Sequence, residues 1–256
     1  MAPQRILITG CNRGIGLELV RQLLQQPSPP KQIFATCRDP SPTSPQNKEL
    51  NDLAAKNPSV VVIKLEATKS KSIQEAKNEV EKHLNGAGLN VLINNAGIMH
   101  TSTLESADSD DFLNIYNTNV VGPLLITKTF LPLLKKAAEE NPGKPLGCDK
   151  CALINVSTLL GSIEKTPETF VPFQFLSYRC SKAALNMLTR CQSVAYQKDG
   201  ILCTALHPGW VQTDLGGPHA PLSVDQSVKG IIKVLDNLSE KHSGILVDWE
   251  GNVIPW

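Results

Sequence analysis

The chain has no surplus of charge of either sign: 25 Lys and Arg stand against 24 Asp and Glu in 256 residues, and neither sign forms a long run. Nucleic acid and anionic membranes attract a basic excess, so neither is expected as a partner. No apolar stretch approaches the roughly 20 residues that span a bilayer. Met1-Ala2-Pro3-Gln4-Arg5 leads straight into apolar residues, with no secretory hydrophobic region. The seven cysteines are an odd number, scattered along the chain. A chain of this length buries roughly 70–75% of its unfolded surface and needs no staples. Reduced thiols and a cytoplasmic location are therefore expected. Cys148-Asp149-Lys150-Cys151 has metal-ligand or redox spacing, but no second pair or nearby His completes a zinc site. Its Gly/Pro-rich surroundings predict a surface loop, and no metal site is expected. Asn155-Val156-Ser157 and Asn237-Leu238-Ser239 match the glycosylation pattern, which is idle without secretion.

What is present is an alternation of strand-length apolar runs and helical patterns. The runs cover residues 5–9, 33–37, 60–65, 89–93, 151–156, 201–206 and 244–247. Helical patterns follow residue 16 (Leu17, Val20, Leu23, Leu24) and cover 46–56, 70–84, 112–136 (with Pro132 near its last turns), a segment from about Tyr178, and 224–238. Unbroken apolar strands between helices predict an α/β fold, a doubly wound Rossmann-type parallel sheet of seven strands. The Pro/Ser-rich pieces 27–30 and 40–45 are short enough to be surface loops. With no repeat, low-complexity tract or linker, residues 1–256 read as one domain.

Gly10, Gly14 and Gly16 fall between the first strand and the first helix, in a T-G-x-x-x-G-x-G variant of the dinucleotide fingerprint. A pyrophosphate meets a helix N-terminus at this place, and glycines let the backbone approach it. The second strand ends in Cys37-Arg38, where an NAD site would carry an acidic residue for the ribose hydroxyl. Arg13 lies inside the glycine turn. Two guanidiniums and no carboxylate suit a 2′-phosphate, so NADP(H) is the expected cofactor.

Tyr178 and Lys182 are four residues apart, one turn from each other on a helix face. Free tyrosine titrates near pH ~10 and is a poor acid or base at neutrality. A nearby ammonium favours the phenolate, and one charge at ~4 Å supplies roughly 4 kcal/mol at an effective dielectric near 20. The pair is thus expected to exchange a proton with a substrate oxygen.

These features, with Asn94-Asn95-Ala96-Gly97, Asn119, Ser157-Thr158 and Pro208-Gly209, form an ordered set. Over essentially its whole length the chain resembles the single-domain short-chain dehydrogenase/reductase family. Ile8 to Gly16, Ala35 to Pro40 and His207 to Asp214 resemble, within it, the NADPH-dependent carbonyl reductases of the sniffer and C-factor-like group. The resemblance implies that Tyr178 is the acid/base and that Lys182 lowers its pKa and holds the nicotinamide ribose. Asn119 would support a water relay behind Lys182, and the hydroxyl of Ser157 or Thr158 would steady the substrate carbonyl. The implied cofactor-binding residues are Gly10, Asn12, Arg13, Gly14, Ile15 and Gly16 in the turn, then Cys37, Arg38, Glu66 and Ala67. Asn94, Ala96 and Gly97 would line the cofactor, Pro208, Val211 and Thr213 would hold its nicotinamide end, and Gly209, Tyr178 and Lys182 complete the implied cofactor-binding set.

The chain departs from the family pattern in three places. Aligning Gly161 with the family's small residue puts Thr158 at the serine position. Glu66 stands where the family has an Asp. The piece Glu164 to Phe175, rich in Pro and Phe, lengthens the stretch before Tyr178 and borders the substrate pocket. Phe170, Phe173, Phe175 and Trp210 are assigned to that pocket or to the core. The function this implies is reduction of aldehydes, ketones or quinones. A non-catalytic NADP(H)-sensing protein is one rival; an NAD-dependent steroid dehydrogenase is another, and Cys37-Arg38 argues against it. Segments 112–136 and 178–198 carry apolar residues beyond one stripe, as in relatives that pair through these helices, so a homodimer or homotetramer is expected.

Overall fold

A computed structural model describes residues 4–41 and 43–256, so expectations touching Met1 to Pro3 and Pro42 lie outside the described residues. β1 (Arg5–Thr9) leads into α1 (Gly14–Leu24), β2 (Gln32–Cys37) into α2 (Lys48–Lys56), and β3 (Val60–Lys64) into α3 (Ser70–Leu84). β4 (Val91–Asn94) precedes α4 (Ser109–Tyr116), which passes through a π-helical turn at Asn117–Val121 into α5 (Gly122–Glu139). β5 (Ala152–Val156) is followed by the four-residue α6 (Thr166–Thr169) and the long α7 (Leu176–Tyr196). β6 (Leu202–His207), α8 (Val224–Asn237), β7 (Leu246–Asp248) and β8 (Val253–Ile254) follow.

The strands form one sheet in the order β3-β2-β1-β4-β5-β6-β7-β8. β1 to β7 are parallel, as expected, but the sheet has eight strands rather than seven. β8 pairs antiparallel with β7 through Leu246–Ile254 and Val247–Val253. A two-residue strand is too short to leave a periodic signal in the sequence.

Alternation of side chains across the pleat builds two cores. Ile6 and Ile8 of β1, with Ile33, Ile93 and Ile154, meet Val20 and Leu23 of α1 and Val228 and Ile231 of α8. Leu7, Phe34, Leu92 and Leu153 point to the other face, against Ile73 and Val80 of α3 and Ile126 and Phe130 of α5. Strands buried on both faces have to be apolar throughout, which is why their runs are unbroken.

A polar seam crosses the second core. Asn94 and Asn155 are partners in the β4–β5 register. The Asn94 amide donates to Asn155 Oδ1 at 2.9 Å and Thr127 Oγ1 at 3.3 Å. Asn155 in turn donates to Thr189 Oγ1 and Gln192 Oε1, each at 2.9 Å. Buried amides need such partners, so the seam fixes α5 and α7 against the central strands. Asn155 is fully buried, which places its glycosylation pattern inside the sheet.

Cys148 and Cys151 are a correction: both are buried rather than on a surface loop. A bridge between Gly147 and Cys151 folds the turn back on itself, and the two side chains enter opposite cores. Burial pushes both thiols up, away from the reactive thiolate.

Candidate active site

Strand order reverses between β1 and β4, and in such sheets the crevice at the strands' carboxyl ends is where ligands bind. The glycine turn sits there. Gly10 has φ +72°, a conformation that disfavours any side chain. A Cβ on Gly16 would lie 2.2 Å from the Gly10 carbonyl oxygen, so only glycine lets α1 begin this close to the turn. The first turn of α1 has no side-chain cap and no acidic residue, which leaves its N–H groups and positive dipole end for an anion. Two residues not singled out from sequence shape this cradle. Asn95 donates to the Thr9 and Gly10 carbonyls at 2.8 and 3.3 Å. Thr9 Oγ1 accepts the N–H groups of Asn95 and Ala96 at 3.0 and 2.9 Å. The second Asn of the Asn-Asn-Ala-Gly motif was the available signal, but its partners are backbone atoms of a distant strand.

Asn12 is half-buried and Ile15 packs on the first core. Arg13 is exposed and pairs with Asp214 at 2.9 Å, beyond the end of β6. Thr213 Cγ2 lies 3.4 Å from where a Gly14 Cβ would stand, so the segment after β6 rests on the glycine turn. Arg38 is exposed. Cys37 is not: its thiol is buried, reaches the Asp39 carbonyl at 3.4 Å, and is pushed up to about 11 by that burial. Glu66 pairs with Lys69 at 3.0 Å. Ala67 packs beside Gly122, where an added Cβ would come within 3.1 Å of its own. The side chain of Asn94 is taken up by the polar seam.

At the other end of the crevice α7 presents Tyr178 and Lys182. Its start is set by Ser102, whose carbonyl and hydroxyl accept the N–H groups of Leu176 and Ser177 at 3.0 and 3.1 Å. Lys182 is 4% exposed and donates to the Val156 carbonyl at 2.7 Å, with Nζ 5.7 Å from the Tyr178 ring centre. A Cβ on Gly97 would lie 3.3 Å from Asn119 Oδ1 and 3.6 Å from Lys182 Nζ, so these three groups are neighbours. Asn119 sits in the π-helical turn, where Gly122 N–H reaches back five residues to Asn117. Its amide exchanges two hydrogen bonds with the Ile98 backbone, both 2.9 Å, and donates to Ser181 Oγ at 3.0 Å. The side chain is thus occupied in joining α7 to the segment after β4.

The adjacent hydroxyls differ. Ser157 Oγ is buried and donates to Asn186 at 2.6 Å. Thr158 Oγ1 accepts from Leu160 N–H at 3.2 Å, which leaves its own proton for another acceptor. Pro208 accepts Ser227 Oγ at 2.6 Å, Gly209 turns the chain with φ +85°, and buried Val211 bridges to Leu222.

The electrostatics correct one expectation. Lys182 does not pull the Tyr178 phenol down; burial pushes it up. The same burial lowers Lys182 from 10.5 to about 8. Its ammonium is aimed at Val156, so its effect on the phenol is smaller than the loss of water around both groups. The upward direction keeps the Tyr178 phenol in its neutral form at neutral pH.

Residues 4–221 match the short chain dehydrogenase family, and the chain belongs to it. It is similar over its full length to the NADPH-bound carbonyl reductase from chicken fatty liver, with 49% identity, 100% of both chains covered and a TM-score of 0.94. It is also similar to the carbonyl reductase Sniffer of Drosophila melanogaster, at 40% identity and TM-score 0.93, with 99% of this chain and 100% of that one covered. A further relative is the C-signal of Myxococcus xanthus, 36% identical over 66% of this chain and 93% of that protein.

The depressed Lys182 makes a stability prediction. With a folded value near 8 against 10.5 unfolded, the unfolded chain holds the extra proton between those pH values, so this group's destabilising contribution fades as pH rises through them. At pH 7 Lys182→Met should gain the penalty it removes, about 3 kcal/mol at 1.36 kcal/mol per pKa unit. A pH-independent cost of about 1–3 kcal/mol, for the Val156 carbonyl it leaves unpaired, offsets part of that gain. Urea denaturation should show that gain shrinking towards pH 10–11; a gain that does not change with pH would contradict the assignment.

Proposed function

We propose that the chain is an NADPH-dependent carbonyl reductase. The observation that carries this reading is the buried pair of Tyr178 and Lys182, the lysine held by the Val156 carbonyl with Gly97 and Asn119 beside it, at the crevice end opposite the glycine cradle. The open cradle, too tight for any side chain on Gly16, fits a dinucleotide pyrophosphate. Bound NADPH supplies the hydride. Tyr178 gives its proton to the oxygen that gains charge, and Thr158 donates a hydrogen bond to the same oxygen. Lys182, charged below about pH 8, then steadies the phenolate left behind. The two similar structures described as carbonyl reductases support aldehydes, ketones or quinones as the substrate class. Seven free cysteines support a cytoplasmic setting.

Tyr178→Phe keeps the ring's packing and removes the proton. Its kcat should fall by ~10²–10⁴ with NADPH affinity retained. A variant with near-parental turnover would refute the role of Tyr178; a parent that binds NADPH and reduces no carbonyl would return the chain to a sensing role.

Arg13 and Arg38 carry the cofactor preference, the first by leaving Asp214 for the 2′-phosphate. Charge-assisted contacts of roughly 1.5–3 kcal/mol each give at least about 10²-fold preference for NADPH over NADH in kcat/KM at low salt. Arg38→Ala should lower it about tenfold. Buried Cys37 is no place for a carboxylate, so the arginines are the positions to change. Equal use of both cofactors by the parent would overturn the preference.

Leu113, Leu124, Met187 and Val194 lie exposed on α4, α5 and α7. An apolar face of this kind is covered by a partner, and a second copy, as a homodimer or within a homotetramer, is proposed. Light scattering that finds only monomer at micromolar concentration would contradict it.

A further inference from the structure

Arg179 follows Tyr178 on α7, and successive residues on a helix are turned about 100° from each other. While Tyr178 faces the crevice, Arg179 enters the segment that precedes α7. It is 6% exposed, yet no ion pair to it is found among the described residues. Its guanidinium fans out over neutral acceptors instead. Nε donates to the Phe173 carbonyl at 2.9 Å, Nη2 to the Thr169 carbonyl and hydroxyl at 2.5 and 3.1 Å, and Nη1 to the Leu160 carbonyl at 3.4 Å. The group also lies 5.6 Å from the centre of the Phe170 ring. All these partners belong to residues 160–173, whose regular structure is limited to the end of a 3₁₀ turn at Leu159–Gly161 and the four-residue α6. A planar fork reaches three carbonyls and an aromatic face at once, which a lysine cannot do.

The anchored segment carries an aromatic wall. The Phe173 ring stacks on Phe175 at 6.2 Å and meets Trp210 edge-on at 5.1 Å. Trp210 is held from the other side of the crevice by its bond to the Gly216 carbonyl at 2.7 Å. Phe175, three residues before Tyr178, has φ +33°, a left-handed conformation that a phenylalanine keeps only when its surroundings impose it.

We infer that Arg179 is a positioning residue for the substrate side of the site: it anchors residues 160–173 and thereby sets the Phe173–Trp210 wall against which a carbonyl compound is held beside Tyr178. The substrate part of this inference rests on the carbonyl reductase reading; the anchoring part does not. The test compares parent, Arg179→Met, Arg179→Lys and Phe173→Ala. Limited proteolysis without cofactor reads the anchor, and KM against kcat for an aromatic and a small aliphatic carbonyl reads the wall. Arg179→Met should be cleaved within 160–175 at least about tenfold faster, the loss of one charge-assisted contact. It should raise KM for the aromatic carbonyl by a similar factor, with kcat and NADPH affinity within threefold of the parent. Arg179→Lys should fall between the two, and it decides the matter if the Met variant does not fold. Phe173→Ala should raise the aromatic KM while cleavage stays at the parental rate. Unchanged cleavage in folded Arg179 variants would overturn the anchor, and unchanged KM in both Arg179→Met and Phe173→Ala would overturn the wall. If the parent reduces no carbonyl, proteolysis still decides the anchor, and the functional reading alone falls.

Discussion

A lysine ammonium removed from water has to be met by oxygen, and this requirement organises the molecule around Lys182. Val156 supplies that oxygen from the end of β5, so α7 is tied to the centre of the sheet at the level of the crevice. Further along α7, Thr189 and Gln192 bind the buried Asn155 of the same strand. Asn119 closes a third link, joining Ser181 to the backbone at Ile98. Three polar ties hold one helix in one register, and side chains one turn apart on it can then be placed reliably. A purely apolar interface would pack as tightly but would specify that register less strictly.

The same burial sets the chemistry. Desolvation favours the uncharged form of both groups, raising Tyr178 and lowering Lys182. A phenol kept neutral is the correct state for a proton donor, and the lysine retains its charge on the acid side of about pH 8. In the proposed mechanism, transfer of the proton would make a phenolate in a dry site, where a nearby ammonium counts for more than it would in water. The glycine cradle at the other end works by the opposite means, through backbone N–H groups and an open helix end rather than titrating side chains.

Much of this was legible in the residues. Unbroken apolar runs located β1 to β7 because strands buried on both faces leave no polar gaps, and the glycine spacing marked the turn because steric exclusion leaves no alternative at Gly16. Other features had no local signal. β8 is two residues long. The π-helical turn at Asn117–Val121 lies inside what reads as one continuous helix. Whether Ser157 or Thr158 keeps a free hydroxyl proton depends on Asn186, far along the chain. Cys37 looked available at a strand end, but the carbonyl of Asp39 folds back over its thiol. The anchoring by Arg179 leaves no pattern in the sequence, since every acceptor it meets, apart from one threonine hydroxyl, is a backbone carbonyl or a ring.

The proposed proton transfer depends on the protonation state of Tyr178, and that state can be measured directly. The chain has three tyrosines, Tyr116, Tyr178 and Tyr196, so the near-ultraviolet tyrosinate band of the cofactor-free protein can be titrated and compared with that of Tyr178→Phe. The difference between the two titrations isolates Tyr178. Burial predicts no tyrosinate from this residue below pH ~10, the ordinary value for a free phenol. A difference signal appearing near neutrality would show that Lys182 overcomes desolvation, and would contradict the neutral proton donor at the centre of the site.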